Sequence, residues 1–276
     1  MVGRLRRAYR RVSWLVRFAA RRDVPDAPAI ALRYLELRLL ERFAPNWHRP
    51  LRLLGYRIRY TDLTTLRWLF KEIFVDRDYA PSADFPVARV VDAGADVGLA
   101  TLFFRRRYPD AEIVCFEPDP RAFACLQANL ERNRVTGVTA HNLGLGTAHG
   151  EATLFVDPDV QNSCQSMSRS FATSLLLDNR QPDELRIRVA PLSEFLDEPV
   201  DVLKLDVEGS ELNVLRGAGP ALSRVRSITM EYHRVPEAPL HELLEVLTAA
   251  GHQYDIATPV GSTLGSVATI RTHRHG

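Results

Sequence analysis

The nine residues Asp201-Val202-Leu203-Lys204-Leu205-Asp206-Val207-Glu208-Gly209 carry the strongest structural signal in this chain. They have the pattern of a buried strand that runs into a glycine-led turn. Because side chains alternate between the faces of a strand, Lys204, Asp206 and Glu208 should share the face opposite the apolar residues. Ionisable groups there are costly unless they pair or take part in chemistry, and open α/β sheets bind ligands at the carboxyl ends of their strands. The stretch therefore predicts a functional site.

The chain around this stretch alternates strand and helix patterns, which predicts an α/β fold with a parallel, doubly wound sheet. The predicted strands are 89–92, 112–116, 138–142, 201–209 and 226–231, with a closing hairpin of 253–257 and 267–271. The predicted helices are 99–107, one that begins at Pro120, one that ends at Gly217, and 240–250. Two further strands, 151–156 and 185–189, frame a polar insertion at 157–184.

Residues 1–85 read as a helical N-terminal region, and residues 86–276 as the catalytic domain. The patterns predict a helix at 27–46, a strand at 53–60, and a helix that Thr61 or Asp62 caps and that runs to Phe74. Its core face would be Leu63, Leu66, Phe70 and Phe74. The segment 81–86 has the composition of a linker and places the domain boundary.

The first 22 residues contain eight arginines and no acid. Helical periodicity puts one apolar stripe opposite the arginines, made of Leu5, Tyr9, Val12, Val16 and Ala19. Such a basic amphipathic helix could contact an anionic membrane surface or an acidic partner. The alternative is a solvated helix that packs on the domain by its narrow stripe.

The composition is that of an ordinary globular protein, with 46% hydrophobic and 25% charged residues. The 36 basic residues nearly balance the 34 acidic ones, so nothing in the overall charge indicates a nucleic-acid partner. Three cysteines without a C-x-x-C pair indicate reduced thiols and a cytoplasmic setting. We see no membrane span and no signal peptide. The sequence does not indicate an oligomeric state.

A glycine-rich turn follows the first predicted strand, Asp92-Ala-Gly94-Ala-Asp96-Val-Gly98. It lacks the three-glycine spacing of a dinucleotide site, which disfavours an NAD-dependent oxidoreductase. Glu117, 25 residues after Asp92 and at the tip of the second strand, is placed to accept both hydroxyls of a ribose. Together these features favour S-adenosylmethionine (SAM) over NAD. The alternative is that the glycines serve packing and Glu117 is a surface acid.

Several runs occur in a combination that is specific to one family. They are Val91-Asp-Ala-Gly-Ala-Asp-Val-Gly-Leu-Ala-Thr101, Phe116-Glu-Pro-Asp-Pro120 followed by Leu126, Asn129 and Asn133, Leu143-Gly-Leu-Gly146, Val202-Leu-Lys-Leu-Asp-Val-Glu-Gly-Ser-Glu211 with Leu215-Arg-Gly217, and Met230-Glu-Tyr-His233. Over about residues 60–260 the chain thus resembles the FkbM family of SAM-dependent methyltransferases. One departure is Asp96, where the family usually has Asn. The resemblance implies a class I, Rossmann-like sheet of seven strands and O-methylation of a sugar, glycolipid or polyketide-type hydroxyl.

The resemblance also places the fifth strand beside the fourth, which would bring five polar residues to one rim: Lys204, Asp206, Glu208, Glu231 and His233. Transfer to a hydroxyl needs a base for its proton. His233 is the first candidate, because its ordinary pKa lies near working pH. Asp206 could orient the hydroxyl or act as the base instead. Lys204 could hold the carboxylates ionised or stabilise the developing alkoxide. An ion-pair network without chemistry is the alternative.

The carboxylates and histidine of this rim could also bind Mg²⁺, although Lys204 would repel a cation. For the cofactor, we expect contacts from the residues of the glycine turn and of the next two strand ends, Asp92, Gly94, Asp96, Gly98, Glu117 and Asn142. His141 would lie near the adenine. The polar run 161–170 could cover the site and select the acceptor, or be an idle loop.

These observations predict a SAM-dependent O-methyltransferase with a small hydroxylated acceptor, such as a sugar, glycolipid or secondary metabolite. Two alternatives stay open: N- or carboxyl-methylation on the same fold, and a non-catalytic SAM-binding module tethered to a membrane by residues 1–22.

Overall fold

The computed structural model describes residues 14–60, 62–81, 85–156, 169–170, 183–257 and 267–274 of the chain. It comprises two compact units, Met1–Arg77 and Asp78–Gly276. The domain boundary at residues 85/86 stays a prediction. No helix in the described part of the chain is long and apolar enough to cross a bilayer.

In the first unit, the described part of the basic N-terminal segment is helical at residues 14–19. Leu15 and Phe18 are buried there, whereas Val16 is 63% exposed. The predicted apolar stripe through Val16 is therefore wrong. Phe18 stacks on the Trp14 ring at 5.8 Å, and aromatic rings bury more area than a valine can. The other stripe members before residue 14 lie outside the described residues: Leu5, Tyr9 and Val12.

Two helices frame a short hairpin in this unit. Helix α1 is Ala27–Phe43, and helix α2, Leu63–Phe70, continues as a π-helical turn, Lys71–Asp76. The capping prediction for Asp62 is confirmed, because its Oδ1 accepts a hydrogen bond from the Thr65 amide at 2.8 Å. The predicted core face of this helix is also confirmed, with all its members buried: Leu63, Leu66, Phe70 and Phe74.

The predicted single strand at 53–60 is wrong. The segment is a two-stranded hairpin of β1, Leu51–Leu53, and β2, Tyr56–Ile58. Leu54 and Gly55 connect them with positive φ angles of 51° and 95°, as a type I′ turn requires. The glycine inside the run was the signal for this turn.

The second unit contains a seven-stranded sheet that confirms the predicted α/β architecture. Its first five strands in chain order are β3 Arg89–Ala93, β4 Glu112–Phe116, β5 Val138–His141, β10 Val200–Leu205 and β11 Val225–His233. The closing hairpin is β12 Gln253–Ala257 and β13 Val267–His273. The spatial order is β12-β13-β11-β10-β3-β4-β5, and only β13 runs antiparallel to its neighbours. This is the order of a class I, Rossmann-like methyltransferase sheet.

Among the described residues, four α-helices connect these strands: α3 Leu99–Arg107, α4 Pro120–Arg132, α5 Glu211–Ala218 and α6 Leu240–Ala249. The predicted helix end at Gly217 is wrong by one residue. Gly217 lies inside α5, where a Cβ would come 1.9 Å from the carbonyl oxygen of Gly146. A glycine is therefore needed there for close packing and not for termination.

A second, four-stranded sheet was not predicted. Its strands are β6 Gly144–Gly146, β7 Gly150–Val156, β8 Arg169–Ser170 and β9 Asp183–Pro191, in the order β6-β9-β7-β8. The predicted strands at 151–156 and 185–189 belong to it, pairing with each other. Most of the polar insertion between them, residues 157–168 and 171–182, lies outside the described residues.

From β3 the chain continues to β4 and β5 on one side of the sheet, and from β10 it continues to β11 on the other side. The direction in which successive strands are added therefore reverses between β3 and β10. Ligands bind at such a switch point in open α/β sheets, outside the carboxyl ends of the strands. Lys204 pairs in register with Asp92 on one side and Thr229 on the other. Leu203 and Leu205 point into the main apolar core, which confirms the predicted alternation of faces within β10. The predicted strand is too long, because β10 ends at Leu205 and Glu208 already has a left-handed φ of +52°.

Candidate functional site

The glycine turn after β3 is pressed against the end of β10. Gly94 has a φ of +82°, and a Cβ on it would come 1.7 Å from the backbone oxygen of Asp206. The amides of Gly94 and Ala95 both donate to the Phe116 carbonyl, at 3.0 and 2.9 Å. The turn is thus fixed by two neighbouring strands, and it requires glycine at position 94 on grounds of both space and backbone angle.

Helix α4 supports the other end of the turn. Gly98 has a φ of +88°, and a Cβ there would meet the Leu126 side chain at 2.5 Å. The side-chain amide of the buried Asn129 donates to the Val97 carbonyl at 2.9 Å. Asp96 adopts a φ of +47°, a left-handed conformation that Asn and Asp tolerate better than other residues with side chains. The aspartate at position 96 therefore meets the same backbone demand as the asparagine usual in the resembled family.

Glu117 joins this turn to the end of β4. Its carboxylate accepts from the Asp96 amide at 2.8 Å and from the Asp119 amide at 2.9 Å, and the side chain is nearly buried. Asn142, just after β5, donates from its side-chain amide to the carbonyls of Glu117 and Pro118. The predicted cofactor residues at the ends of β3, β4 and β5 are thus adjacent. Backbone amides orient the two carboxylate oxygens of Glu117.

The end of β5 also carries an aromatic group. The His141 ring stacks on Phe116 with centroids 5.1 Å apart, and Phe195 packs edge-on against Phe116 at 4.6 Å. Burial lowers the pKa of His141. His141 is therefore a neutral, flat surface beside Asn142 near neutral pH.

Asp92 is fully buried beneath the turn. Its Oδ2 accepts from the Thr101 hydroxyl at 2.6 Å, and its Oδ1 lies 3.4 Å from Nζ of Lys204. Burial raises the pKa of Asp92, against the opposing effects of Lys204 and the Thr101 hydrogen bond. The geometry gives Asp92 a role in holding the turn and the lysine together, in addition to any contact with a ligand.

Lys204 is almost completely buried and bridges the end of β3 and the residues after β10. Its ammonium donates to the carbonyls of Gly94 and Ala93, and lies 3.6 Å from Oδ2 of Asp206. The Tyr79 ring covers it at 4.9 Å from the centroid, and the Tyr79 hydroxyl donates to Asp206 at 2.9 Å. The lysine thus faces the Asp206 carboxylate on one side and holds the glycine turn on the other.

His233, at the end of β11, is surrounded by three carboxylates. Its Nδ1 lies 3.1 Å from Oε1 of the fully buried Glu211, and its Nε2 lies 3.3 Å from Glu208 and 3.9 Å from Glu231. Burial is the largest single influence and lowers the pKa of His233, but the carboxylates outweigh it, and the pKa stands well above its ordinary value. His233 therefore carries a proton at neutral pH.

The structure places all five predicted rim residues close together around the ends of β10 and β11. Lys204 and Asp206 form one pair, and Glu208, Glu231 and His233 form the adjoining group. Three further contributors were missed in the sequence: Tyr79, Thr101 and Glu211. Thr101 and Glu211 lie inside the runs quoted above for the family resemblance. Tyr79 precedes the predicted linker, and only the fold brings it to Asp206.

Asp206, Glu208 and His233 have one ligand atom each within 4.8 Å of one another, so they could reach a single cation. The Lys204 ammonium beside Asp206 opposes this, since it already supplies the positive charge.

Comparison with known proteins identifies the family of the chain. The family model described as the methyltransferase FkbM domain matches residues 92–254. The chain is 36% identical over 171 residues to "Methyltransferase 1" of Beauveria bassiana. The aligned residues cover 55% of this chain and 67% of that protein. It is 29% identical over 250 residues to the "31-O-demethyl-FK506 methyltransferase FkbM" of Streptomyces tacrolimicus, covering 79% of this chain and 95% of that protein.

A third relative is the "2-O-methyltransferase NoeI" of Sinorhizobium fredii, 25% identical over 192 residues, which cover 63% of this chain and 76% of that protein. The family match spans more than half of the chain and includes the glycine turn, both acidic strand ends and His233. The chain therefore belongs to the FkbM family of SAM-dependent methyltransferases.

Proposed function

We propose that this enzyme transfers a methyl group from SAM to a hydroxyl of a sugar, glycolipid or secondary metabolite. The observation that carries the proposal is the convergence of Asp206, Glu208 and His233 beside the Gly94 turn, at the switch point of the sheet. The printed names of two relatives, which specify transfer at 31-O and 2-O positions, support oxygen as the methyl acceptor.

The residues around the glycine turn fit a SAM site by the chemistry of their donors. Glu117 offers a carboxylate fixed by two backbone amides, which suits the paired hydroxyls of a ribose. Gly94, Asp96 and Gly98 shape the backbone beside it, while Asp92 lies beneath, and Asn142 fixes the neighbouring strand end. When bound, SAM supplies an electrophilic methyl group on a sulfonium sulfur.

In the proposed reaction the acceptor oxygen forms a bond to the methyl carbon while the carbon–sulfur bond breaks and its electron pair remains on sulfur. The hydroxyl proton must pass to a base. A protonated His233 cannot take it, so we assign this role to the carboxylate of Asp206. His233 then serves as a hydrogen-bond donor, with Glu208 and Glu231 on its Nε2 side and Glu211 fixing its ring.

Lys204 faces Asp206 in this scheme, and its ammonium keeps the carboxylate oriented. With that positive charge built into the site, the proposed reaction does not use Mg²⁺. We also propose a cytoplasmic setting, because the three cysteines of the sequence form no C-x-x-C pair.

Glu117→Gln is expected to weaken SAM binding by roughly tenfold to a hundredfold, because hydrogen bonds to a charged group are worth about 1.5–3 kcal/mol. Isothermal calorimetry with SAM measures this. Glu112→Gln, at the opposite end of the same strand, is the matched control and should leave the dissociation constant unchanged. Equal affinities for the Glu117 variant and the unaltered protein would contradict the proposed cofactor site.

The charge of His233 predicts a pH dependence of folding stability. Since its folded-state pKa exceeds the ordinary value of about 6.5, its stabilising contribution is complete below that pH and disappears as the pH rises through the folded-state pKa. The difference in unfolding free energy between the unaltered protein and His233→Gln should therefore shrink as the pH rises from about 6.5 through the folded-state pKa.

Urea unfolding at a series of pH values tests this. The control is His252→Gln, because burial lowers the pKa of His252 to about 4. The difference in unfolding free energy between His252→Gln and the unaltered protein should stay constant above about pH 7.5 and change only at acidic pH. A His233 difference that is constant across neutral and alkaline pH would show that the imidazole is neutral, and would return His233 to the role of base.

A further inference from the structure

The two compact units of the chain have opposite net charges. Residues 1–77 contain eighteen basic and seven acidic residues, a net charge of +11, whereas residues 78–276 contain eighteen basic and 27 acidic residues, a net charge of −9. The near-neutral total of +2 hides this asymmetry. A strongly basic segment in an otherwise acidic enzyme indicates an anionic partner for that segment.

Exposed apolar side chains are concentrated in the same basic unit. Among the described residues, seven of the nine large apolar side chains that are exposed lie before residue 78: Val16, Leu32, Leu35, Leu39, Phe43, Trp47 and Trp68. The two others, Tyr254 and Ile256, lie on β12. Single exposed apolar residues need no explanation, but a group of them on one unit marks an interaction surface.

Four of these residues form a continuous stripe on helix α1. Leu32, Leu35, Leu39 and Phe43 follow the three- and four-residue spacing of one helix face, and all four line an open depression of about 510 Å³. The opposite face of α1 is also apolar and is buried, through Ile30, Tyr34 and Leu37 among others. A helix that is apolar on both faces requires a second apolar environment besides the protein core.

Arginines lie over three exposed aromatic rings of this unit, one of which, Phe43, belongs to the stripe. The guanidinium of Arg42 is 5.8 Å from the Phe43 ring centroid, that of Arg49 is 5.9 Å from Trp47, and that of Arg67 is 4.7 Å from Trp68. Aromatic rings with adjacent arginines are typical of the membrane–water interface, where the ring enters the headgroup region and the charge remains at the phosphates.

We infer that the α1 stripe, defined as Leu32, Leu35, Leu39 and Phe43, lies in the headgroup layer of an anionic lipid bilayer. The net positive charge of residues 1–77 attracts this unit to the anionic bilayer surface. The leucine and phenylalanine side chains of the stripe then insert between the lipid headgroups. Nucleic acid would match the charge but not a leucine stripe. The α1 stripe belongs to the first unit and the residues of the proposed reaction to the second, so the inference does not depend on that reaction.

Sedimentation with vesicles tests the inference with the full chain. The vesicles contain either phosphatidylcholine alone or phosphatidylcholine with roughly a third phosphatidylserine. The chain should sediment with the anionic vesicles only. The double variant Leu39→Ser/Phe43→Ser should reduce this binding at least tenfold, because each side chain contributes apolar area on insertion. The matched control is Ile256→Ser, which is exposed to a similar degree as Leu39, 43% against 49%, and should bind as the unaltered chain does.

Three outcomes would overturn the inference. One is absence of sedimentation with anionic vesicles. Another is equal binding by the stripe variant and the Ile256→Ser control. The third is a concentration-dependent dimer that Leu39→Ser/Phe43→Ser abolishes, because it would show that a second copy of the chain covers the stripe. SAM binding and methyl transfer by the stripe variant in solution should be unchanged, so a failure here is distinguishable from a failure of the proposed function.

Discussion

Asp206→Asn is expected to lower kcat by about a hundredfold to ten-thousandfold, which is the usual contribution of a general base. Asparagine keeps the shape of the side chain and can still accept a hydrogen bond from Tyr79, whose hydroxyl contacts Asp206 at 2.9 Å. It cannot take the acceptor's proton, and it removes the charge that faces Lys204 at 3.6 Å. The dissociation constant for SAM should change little, because Glu117 and the glycine turn carry most of that binding in our proposal.

The matched control is Asp201→Asn, the same substitution at the amino end of the same strand. Asp201 accepts hydrogen bonds from the amides of Ala88 and Arg89 and lies at the end of β10 away from the site. Its kcat should stay within about twofold of the unaltered enzyme at a temperature well below unfolding. If Asp206→Asn retains full kcat while His233→Gln loses it, the base is His233 and our assignment is wrong.

Gly94→Ala is expected to destabilise the second unit by more than about 3 kcal/mol, in the range of the most damaging single substitutions. The added Cβ would come within 1.7 Å of the Asp206 carbonyl oxygen, and both groups belong to backbones that neighbouring strands hold in place. Relief of this overlap requires β10 and the turn after β3 to separate, which would also break the contacts of Lys204 with Gly94 and Ala93.

Gly251→Ala separates the effect of the clash from that of the backbone angle. Gly251 has the same φ of +82° as Gly94, but its Cβ would meet nothing closer than the Arg274 side chain at 3.5 Å. This variant should lose only about 1–2 kcal/mol, the cost of a left-handed conformation. Urea unfolding of both variants checks the pair. Similar losses for the two would mean that the turn relaxes easily and that the close packing at Gly94 is unimportant.

Local sequence signals predicted much of the second unit, because alternation and turn chemistry act over a few residues. The strand ending in Lys204 and Asp206, the glycine turn and Glu117 could all be located in this way. The four-stranded sheet could not, since Gly144–Gly146 is too short to show a pattern and pairs with β9, far along the chain. The role of Gly217 was also misread, because a helix-ending glycine and a close-packing glycine look alike in sequence.

The candidate site was predictable in its membership but not in its electrostatics. Residue spacing placed Glu231 and His233 on one face of a strand, and the resemblance placed that strand beside Asp206. Only the structure shows that Glu208 and Glu211 approach both nitrogens of the imidazole, at 3.3 and 3.1 Å, and raise its pKa. The role of Tyr79 depends on contacts across 127 positions of sequence, which no local pattern reveals.

The central claim is that the acid-rich rim beside the Gly94 turn activates a hydroxyl for methylation. The most direct test is to incubate the enzyme with SAM that carries an isotope-labelled methyl group and with a panel of sugars, glycolipids and polyketide-type alcohols, and to locate the label by nuclear magnetic resonance. We expect the label in a methoxyl group, formed by the unaltered enzyme and by Asp201→Asn but not by Asp206→Asn. Label on a nitrogen or in a methyl ester, or label transfer that Asp206→Asn leaves undiminished, would contradict the claim.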